Sequence, residues 1–520
     1  MDQHWARGTL KKILLADAKQ RPTPLKWVFK YKSDKKGYIK RFKARLVFRG
    51  DLQASSVTDT YAATLAAKSF RMMMAIAAKW GLTVWQLDAV SAFTNNILEE
   101  LVYAFYPDGY KQPGYCLQLI RALYGLRQAP RLWYENLVKT LLSLGLTKSS
   151  EEPCIFSNDW LIVFFYVDDM AIAFRSEDTD RAQKFKADLM SHYKMTDEGE
   201  LRWFLGVRVL RDREQRKVWL SQQSYIEKLA HTFKIYISDR MPQIPMATAE
   251  LRKNDKQATP ESVHLYQQKV GSLLYAAIIT RPDIARATSK LSQFLHNPSD
   301  EHHQAADQCL RYLYTTRHLA IEYDGDKDCE ALLIASDASF ADDPDDRKSS
   351  QGYLIKLFGG PVAWKASKQA TVTTSTTEAE LLALEHTVKE GFALERLFRD
   401  IQLELHSGLK FHCDNTQTIR LIVEDSTRLK TRLRHVDIQN MWLKQEYRKA
   451  RFEISYLATA EMPADGLTKA LPRQKFNTFV RHLGLVEIKD LLENEAAEDC
   501  DGDSESDIDS DYETDSTDGH

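Results

Sequence analysis

Two adjacent acids, Asp168 and Asp169, interrupt an apolar stretch running from Trp160 to Phe174 (WLIVFFYVDDMAIAF). The flanking runs are β-prone, which predicts a hairpin with the pair at or beside its tip. Burying carboxylates without a counter-charge is costly, so the pair is expected to meet a cation or solvent. Their hard oxygens suit Mg2+, with Mn2+ as the alternative ion. Upstream, Thr83–Asp88 (TVWQLD) is a second apolar run that ends in an acid. Strand ends that bring Asp88 beside Asp168 would make a two-metal site, which steadies the attacking and leaving oxygens of phosphoryl transfer. An ordinary exposed turn also favours Asp; the upstream strand-then-Asp run argues against that reading.

The pattern recurs in the C-terminal half. ALLIASD ends in Asp337 and LKFHCD ends in Asp414, each after a strand-like run. Glu380 lies in EAELLAL, the opening of a long helix, and Asp465 sits in MPADGLT beside a helix start. Three strand or loop acids and one helical acid form a second candidate two-magnesium cluster.

Positioning these acids requires several regular elements. SFRMMMAIAAK (Ser69–Lys79) predicts a helix, its methionines filling core. Pro130 predicts a helix start, and residues 177–195 an amphipathic helix. Leu201–Val209 reads as one strand containing a glycine. Residues 238–262 read as a connection, followed by helices near 263–280, 282–296 and 301–316. Near the N-terminus, WVFKYK and KRFKARLVFRG flank the turn DKKG, predicting a hairpin studded with cations that could grip a triphosphate or a template backbone.

At 520 residues the chain exceeds one core and implies about three domains. Its 43% hydrophobic and 28% charged content fits globular material, with no run of membrane-spanning length and no apolar secretory leader. Six cysteines without paired spacing indicate neither a zinc site nor a disulfide framework, so an intracellular, non-secreted location in cytoplasm or nucleus is expected. The formal charge of −2 conceals an asymmetry: residues 491–520 hold 13 acids and no Lys or Arg, leaving 71 basic against 60 acidic side chains in residues 1–490. A basic body suits a polyanionic partner, and an acidic Ser-rich end suits disorder.

A series of motifs in fixed order resembles the reverse transcriptase and ribonuclease H regions of copia-type retrotransposon polyproteins. The series comprises RFKARLVFRG (Arg41–Gly50), QLDAVSAF (Gln86–Phe93), LIRALYGLRQAPRLWY (Leu119–Tyr134), YVDDM (Tyr166–Met170), FLGVRV (Phe204–Val209), YQQKVGSLLYAAIITRPDIA (Tyr266–Ala285), TSTTEAELLAL (Thr374–Leu384), FHCDN (Phe411–Asn415), TRLRHVDI (Thr431–Ile438) and PADGLTKAL (Pro463–Leu471). The similarity covers about residues 26 to 485. TYAATLA (Thr60–Ala66), Leu433 and Arg434 depart from the usual pattern, and the acidic end lies outside it.

The resemblance implies an α/β (α+β) architecture: a right-hand polymerase fold with fingers, palm and thumb-like region, followed by a mixed-sheet ribonuclease H-like domain. Residues 1–25 would be a partial N-terminal segment, 26–235 fingers and palm, 236–325 a helical thumb or connection, 326–486 the ribonuclease domain, and 487–520 a disordered acidic tail. It implies Asp88, Asp168 and Asp169 as polymerase carboxylates, with Asp88 and Asp168 preferred for direct metal contact. Lys40, Lys43 and Arg45 become candidates for triphosphate contact, and Phe93 the bulky side chain that disfavours a ribose 2′-hydroxyl. Gly125 and Arg127 join the nucleic-acid-binding candidates, and Trp203 to Gly206 resembles the segment that holds the primer terminus. Asp337, Glu380, Asp414 and Asp465 resemble the four ribonuclease H acids, Glu380 being preferred over Glu378. The implied partners are an RNA template, a DNA primer, an RNA–DNA hybrid and deoxynucleoside triphosphates, with no membrane. The implied activity is Mg-dependent RNA-directed DNA synthesis with hybrid-specific RNA cleavage; the alternative is a catalytically inactive nucleic-acid-binding relic of such an element.

Overall fold

The computed structural model describes residues 1–33, 39–53, 60–236, 241–404, 408–425, 429, 431 and 433–493, apart from the side chains of Lys32, Ser33, Lys40 and Arg41. The turn expected at Asp34–Gly37 and nearly all of the acidic tail lie outside the described residues. The described chain divides into two compact units, one of Met1–Leu65 and Thr83–Leu201, the other of Ala66–Leu82 and Arg202 onward. Residues 66–82 and 202–235 therefore group with the C-terminal part in compactness, whereas the expected functional segment 26–235 runs through both units.

The first unit centres on a six-stranded sheet in the order Met195–Glu200, Thr83–Ala89, Asp169–Phe174, Leu161–Tyr166, Ile155–Ser157, Thr147–Lys148. Neighbours are antiparallel throughout. Val84, Leu87, Val163, Phe164, Phe165 and Ile172 are buried, which explains why these strands read as nearly continuous apolar runs. The helix Ala129–Ser143 carries Pro130 in its first turn, where a missing N–H breaks no helical bond. The helix Thr179–His192 buries Ala182, Phe185 and Leu189, the stripe that made it legible as amphipathic.

The basic hairpin pairs Leu25–Ser33 with Ile39–Phe48, setting Lys30 against Lys43 and Val28 against Arg45. Strand alternation puts Lys26, Lys30, Lys43 and Arg45 on one face and Trp27, Phe29, Tyr31 and Phe42 on the other. Its foot is fastened by Phe48 N, which donates to Tyr124 O at 2.8 Å. Backbones approach so closely there that a Cβ on Gly125 (φ +86°) would sit 2.1 Å from Phe48 O, and one on Gly50 2.1 Å from Gly125 O. Only glycine fits either position.

The second unit holds two five-stranded sheets. One is antiparallel, in the order Trp203–Phe204, Val207–Asp212, Lys217–Ser221, Leu319–Asp324, Leu485–Glu487. The single strand expected over Leu201–Val209 is instead a hairpin: Leu205 (φ +53°) and Gly206 (φ +69°) form a two-residue turn with both φ angles positive. Leucine gives no turn signal, and the Tyr275 hydroxyl, which donates to Leu205 O at 2.7 Å, comes from a distant helix.

The other sheet runs Gly360–Lys368, Ser350–Leu357, Leu332–Ser339, Lys410–Cys413, Glu453–Tyr456. The first three strands are antiparallel and the last two run parallel to Leu332–Ser339, a mixed sheet as expected. Helices Pro260–Ile279, Ala285–Leu291 and Asp300–Thr315 fill the region predicted to be helical. Arg71, from helix Ala67–Lys79, is buried and donates to Ile278 O (2.6 Å), Ile279 O (2.8 Å) and Val362 O (2.9 Å), with its guanidinium 3.9 Å from the Trp364 ring centroid. That one side chain joins three parts of the unit. Among the described residues no helix is long and apolar enough to cross a membrane.

Candidate functional site

In the first unit the antiparallel register sets Asp169 directly opposite Asp88. Opposed residues of an antiparallel pair share a face, so the two carboxylates lie side by side on it. Asp168 occupies the two-residue turn between Tyr166 and Asp169, and its carbonyl accepts from Ala89 N at 3.0 Å. The three acids thus meet at one end of two adjacent strands, all half-buried. The other turn residue, Val167, has φ +56°, where a β-branched side chain costs about 1–3 kcal/mol. Trp133 Nε1 donates to Val167 O at 2.7 Å and helps hold that conformation.

Tyr124 completes this cluster. Its hydroxyl donates to Asp168 Oδ2 at 3.3 Å, and its ring meets the buried Phe93 edge-on at 4.5 Å between centroids. Burial first, then the charge of Asp168, pushes the phenol well above its usual range, so it stays a protonated donor. Arg45 acts on the same hydroxyl in the opposite sense, which puts the cationic hairpin face within electrostatic reach of Tyr124. Lys43 shares that face; the Lys40 side chain lies outside the described residues. Arg127 is exposed at the hairpin's foot, its amide donating to Gln53 Oε1 at 3.2 Å. Trp203, paired with Arg208, and Gly206 belong to the hairpin of the second unit.

The second unit assembles the other four acids. Asp337 lies on the central strand Leu332–Ser339, fully buried; Asp414 follows Lys410–Cys413, and Glu380 lies in the first turns of helix Thr376–Asp400. Asp465 opens the short helix Asp465–Thr468, seated so closely on strand Ser350–Leu357 that a Cβ on Gly352 would be 2.7 Å from Leu467 Cβ. Glu380 Oε1 accepts from Ala338 N at 3.2 Å, beside Asp337 in the chain. Glu378 faces elsewhere, its carboxylate accepting from Thr374 N and Oγ1 at 2.6 and 2.8 Å. Thr459 Oγ1 donates to Asp414 Oδ2 at 2.7 Å, and Thr468 Oγ1 donates to Asp337 Oδ2. Lys469 reaches Asp465 Oδ1 at 2.6 Å and Asp337 Oδ2 at 3.4 Å.

Burial, chiefly, raises both the Asp337 and Glu380 carboxyls, with neighbouring acids adding to the shift. Asp337 Oδ1 and Glu380 Oε2 are buried without a hydrogen-bond partner among the described residues. Orphaned buried carboxylate oxygens of this kind are what a divalent cation would satisfy, so the residues fit a Mg2+ or Mn2+ site. Ligand atoms of Glu380, Cys413 and Asp414 lie within 4.8 Å of one another. Burial holds the Cys413 thiol far above its usual range and hence neutral, so the hard oxygen donors define the chemistry.

Three side chains here carried no signal that singled them out from sequence: Tyr124, Trp133 and Lys469. Tyr124 and Trp133 sit inside the aromatic-rich segment Leu119–Tyr134, and Lys469 stands one helical turn beyond Asp465.

Comparison with known proteins identifies the family. The family described as reverse transcriptase (RNA-dependent DNA polymerase) matches residues 11–247. The retrovirus-related Pol polyprotein from transposon TNT 1-94 of Nicotiana tabacum is 34% identical over 503 residues, 93% of this chain and 37% of the relative. The putative transposon Ty5-1 protein of Saccharomyces cerevisiae is 32% identical over 312 residues, 58% of this chain and all of the relative. Among solved structures, the foamy viral protease-reverse transcriptase in complex with RNA/DNA hybrid covers 88% of this chain and 52% of its own, at 12% identity and a TM-score of 0.45. The chain spans about a third of the length of the plant Pol polyproteins it matches. It belongs to the reverse transcriptase family found in the Pol polyproteins of copia-type retrotransposons.

Proposed function

We propose that the chain is a divalent-metal-dependent, RNA-directed DNA polymerase whose C-terminal part cleaves RNA in an RNA–DNA hybrid. The observation that carries the polymerase reading is the register that pairs Asp88 with Asp169 beside Asp168. These acids would hold Mg2+ at the polymerase site, and Asp337, Glu380, Asp414 and Asp465 at the ribonuclease site. Bound metal would supply charge that eases approach of an anionic nucleophile to a phosphate and stabilises the leaving oxygen.

The protein's own groups take the remaining tasks. Tyr124 orients Asp168 through its hydroxyl. The cationic face carrying Lys43 and Arg45, with Lys40 on the same strand, suits the triphosphate of an incoming deoxynucleotide. Phe93, packed on Tyr124, suits a steric filter against a 2′-hydroxyl. Trp203 to Gly206 would engage the primer end, and Gly125 and Arg127 would keep the basic hairpin where it meets template and nucleotide. Substrate choice in the second site would follow hybrid shape and ribose hydroxyls.

The test is primer extension on an RNA template with Mg2+, comparing the chain with Asp168→Asn and Asp169→Asn, alongside cleavage of a labelled hybrid compared with Glu380→Gln. Extension and cleavage lost separately in the matching variants support the assignment. A well-folded chain that binds the hybrid and does neither overturns it.

A further inference from the structure

Lys469 occupies an unusual position for an ammonium group. Its Nζ stands 2.6 Å from Asp465 Oδ1 and 3.4 Å from Asp337 Oδ2, between two of the acids that define the second cluster. Asp337 is sealed, with 1% of its side chain exposed, whereas Lys469 keeps 37% of its side chain exposed. The acid therefore cannot turn to water, while the lysine has an open route out of the cluster. The short helix Asp465–Thr468 fixes the geometry, since Asp465 and Lys469 are one turn apart and Lys469 N donates to Asp465 O at 3.1 Å. Thr468, between them, donates its hydroxyl to the same Asp337 oxygen that Lys469 approaches. Two buried oxygens of the same cluster, Asp337 Oδ1 and Glu380 Oε2, have no hydrogen-bond partner among the described residues. One side of the cluster is thus served by a built-in cation and the other is bare.

We propose that Lys469 is a resident counter-ion of the ribonuclease-type cluster: it neutralises Asp337 and Asp465 while the bare side takes the first divalent ion, and it must swing out before a second ion can share those two acids. The inference rests on the metal-site reading given under the proposed function. On this account the lysine stabilises the metal-free cluster and sets the concentration at which the second ion enters. A cation bonded to two acids competes directly with any ion that needs the same oxygens, so removing it shifts that second step and leaves the first step much less changed.

The experiment counts bound Mn2+ by electron paramagnetic resonance in the full chain, in an Asp168→Asn background that weakens the polymerase cluster. Melting temperature in EDTA is recorded beside it. Lys469→Gln is expected to take up the second ion at about tenfold lower free Mn2+, equivalent to ~1.4 kcal/mol, and to melt at lower temperature when metal-free. Lys469→Arg keeps a cation and should resemble the parent in EDTA, which separates loss of charge from a folding defect. An unchanged second step in Lys469→Gln, or weaker Mn2+ uptake, overturns the inference while leaving the metal site standing. Mn2+ uptake that Glu380→Gln does not alter overturns both the site and the inference.

Discussion

Asp169 stands half-buried across the strand from Asp88, whereas Asp337 is sealed from solvent beneath Thr468 and beside Lys469. The chemistry of the two clusters is alike, carboxylates gathered from separate elements, and the surroundings differ. At the hairpin, solvent shares in stabilising the charges, and a protonated phenol from Tyr124 supplies a neutral hydrogen bond. In the mixed sheet, desolvation is severe enough to raise two carboxyls, and a lysine offsets part of the charge. The lesson is that burial decides how a cluster of carboxylates is stabilised when no metal is bound: an exposed one can rely on water, a sealed one must carry protons or an internal cation.

The largest expected effect separates the two regions outright. Asp168→Asn should lower primer extension on the order of a thousandfold, the size of a ~4 kcal/mol loss of transition-state stabilisation, with hybrid cleavage nearly unchanged. Glu380→Gln should do the reverse. Loss of both activities in either single variant would mean that the clusters do not act independently.

A second prediction concerns pH. Because the Asp337 and Glu380 carboxyls are raised, the metal-free fold retains protons that the unfolded chain releases above about pH 4. The stability contributed by this cluster is therefore fully present below that range and is lost as pH rises through neutrality. Melting temperatures in EDTA between about pH 5 and about pH 8 should fall more steeply for the parent than for Glu380→Gln. Mg2+ should flatten the slope, and Asp168→Asn should leave it alone. A slope indifferent to Glu380→Gln would remove the proposed contrast.

Smaller effects probe the hairpin side. Tyr124→Phe deletes one hydrogen bond to Asp168 and should reduce kcat for extension about tenfold, a ~1.4 kcal/mol effect, with hybrid binding kept. Phe93→Val opens the space beside Tyr124 and should narrow the preference for deoxy- over ribonucleotides, measured as the ratio of kcat/KM values, by about tenfold. An unchanged ratio would leave Phe93 as core packing alone.

Much of this was legible before folding was considered. The hairpin at Asp168–Asp169, the helix now seen as Ala67–Lys79, and the strands that end near Asp88, Asp337 and Asp414 follow from local periodicity and flanking turn residues. The Leu205–Gly206 turn escaped because a leucine with positive φ is stabilised by a hydroxyl from a helix 70 residues away. Tyr124 and Lys469 escaped for a similar reason: a tyrosine among aromatics and a lysine after a helix turn look ordinary until their neighbours are known. The resemblance preferred Glu380 to Glu378; packing shows the physical distinction, one accepting from Ala338 N in the cluster and the other from Thr374.

By itself, then, the sequence determined which segments become strands and helices and which acids lie at their ends, because both are properties of a few consecutive residues. The tertiary structure alone decided that Asp169 faces Asp88, that Gly50 and Gly125 touch, and that Lys469 enters an acid cluster. Register, desolvation and charge pairing depend on residues tens to hundreds of positions apart, and no local pattern carries that information.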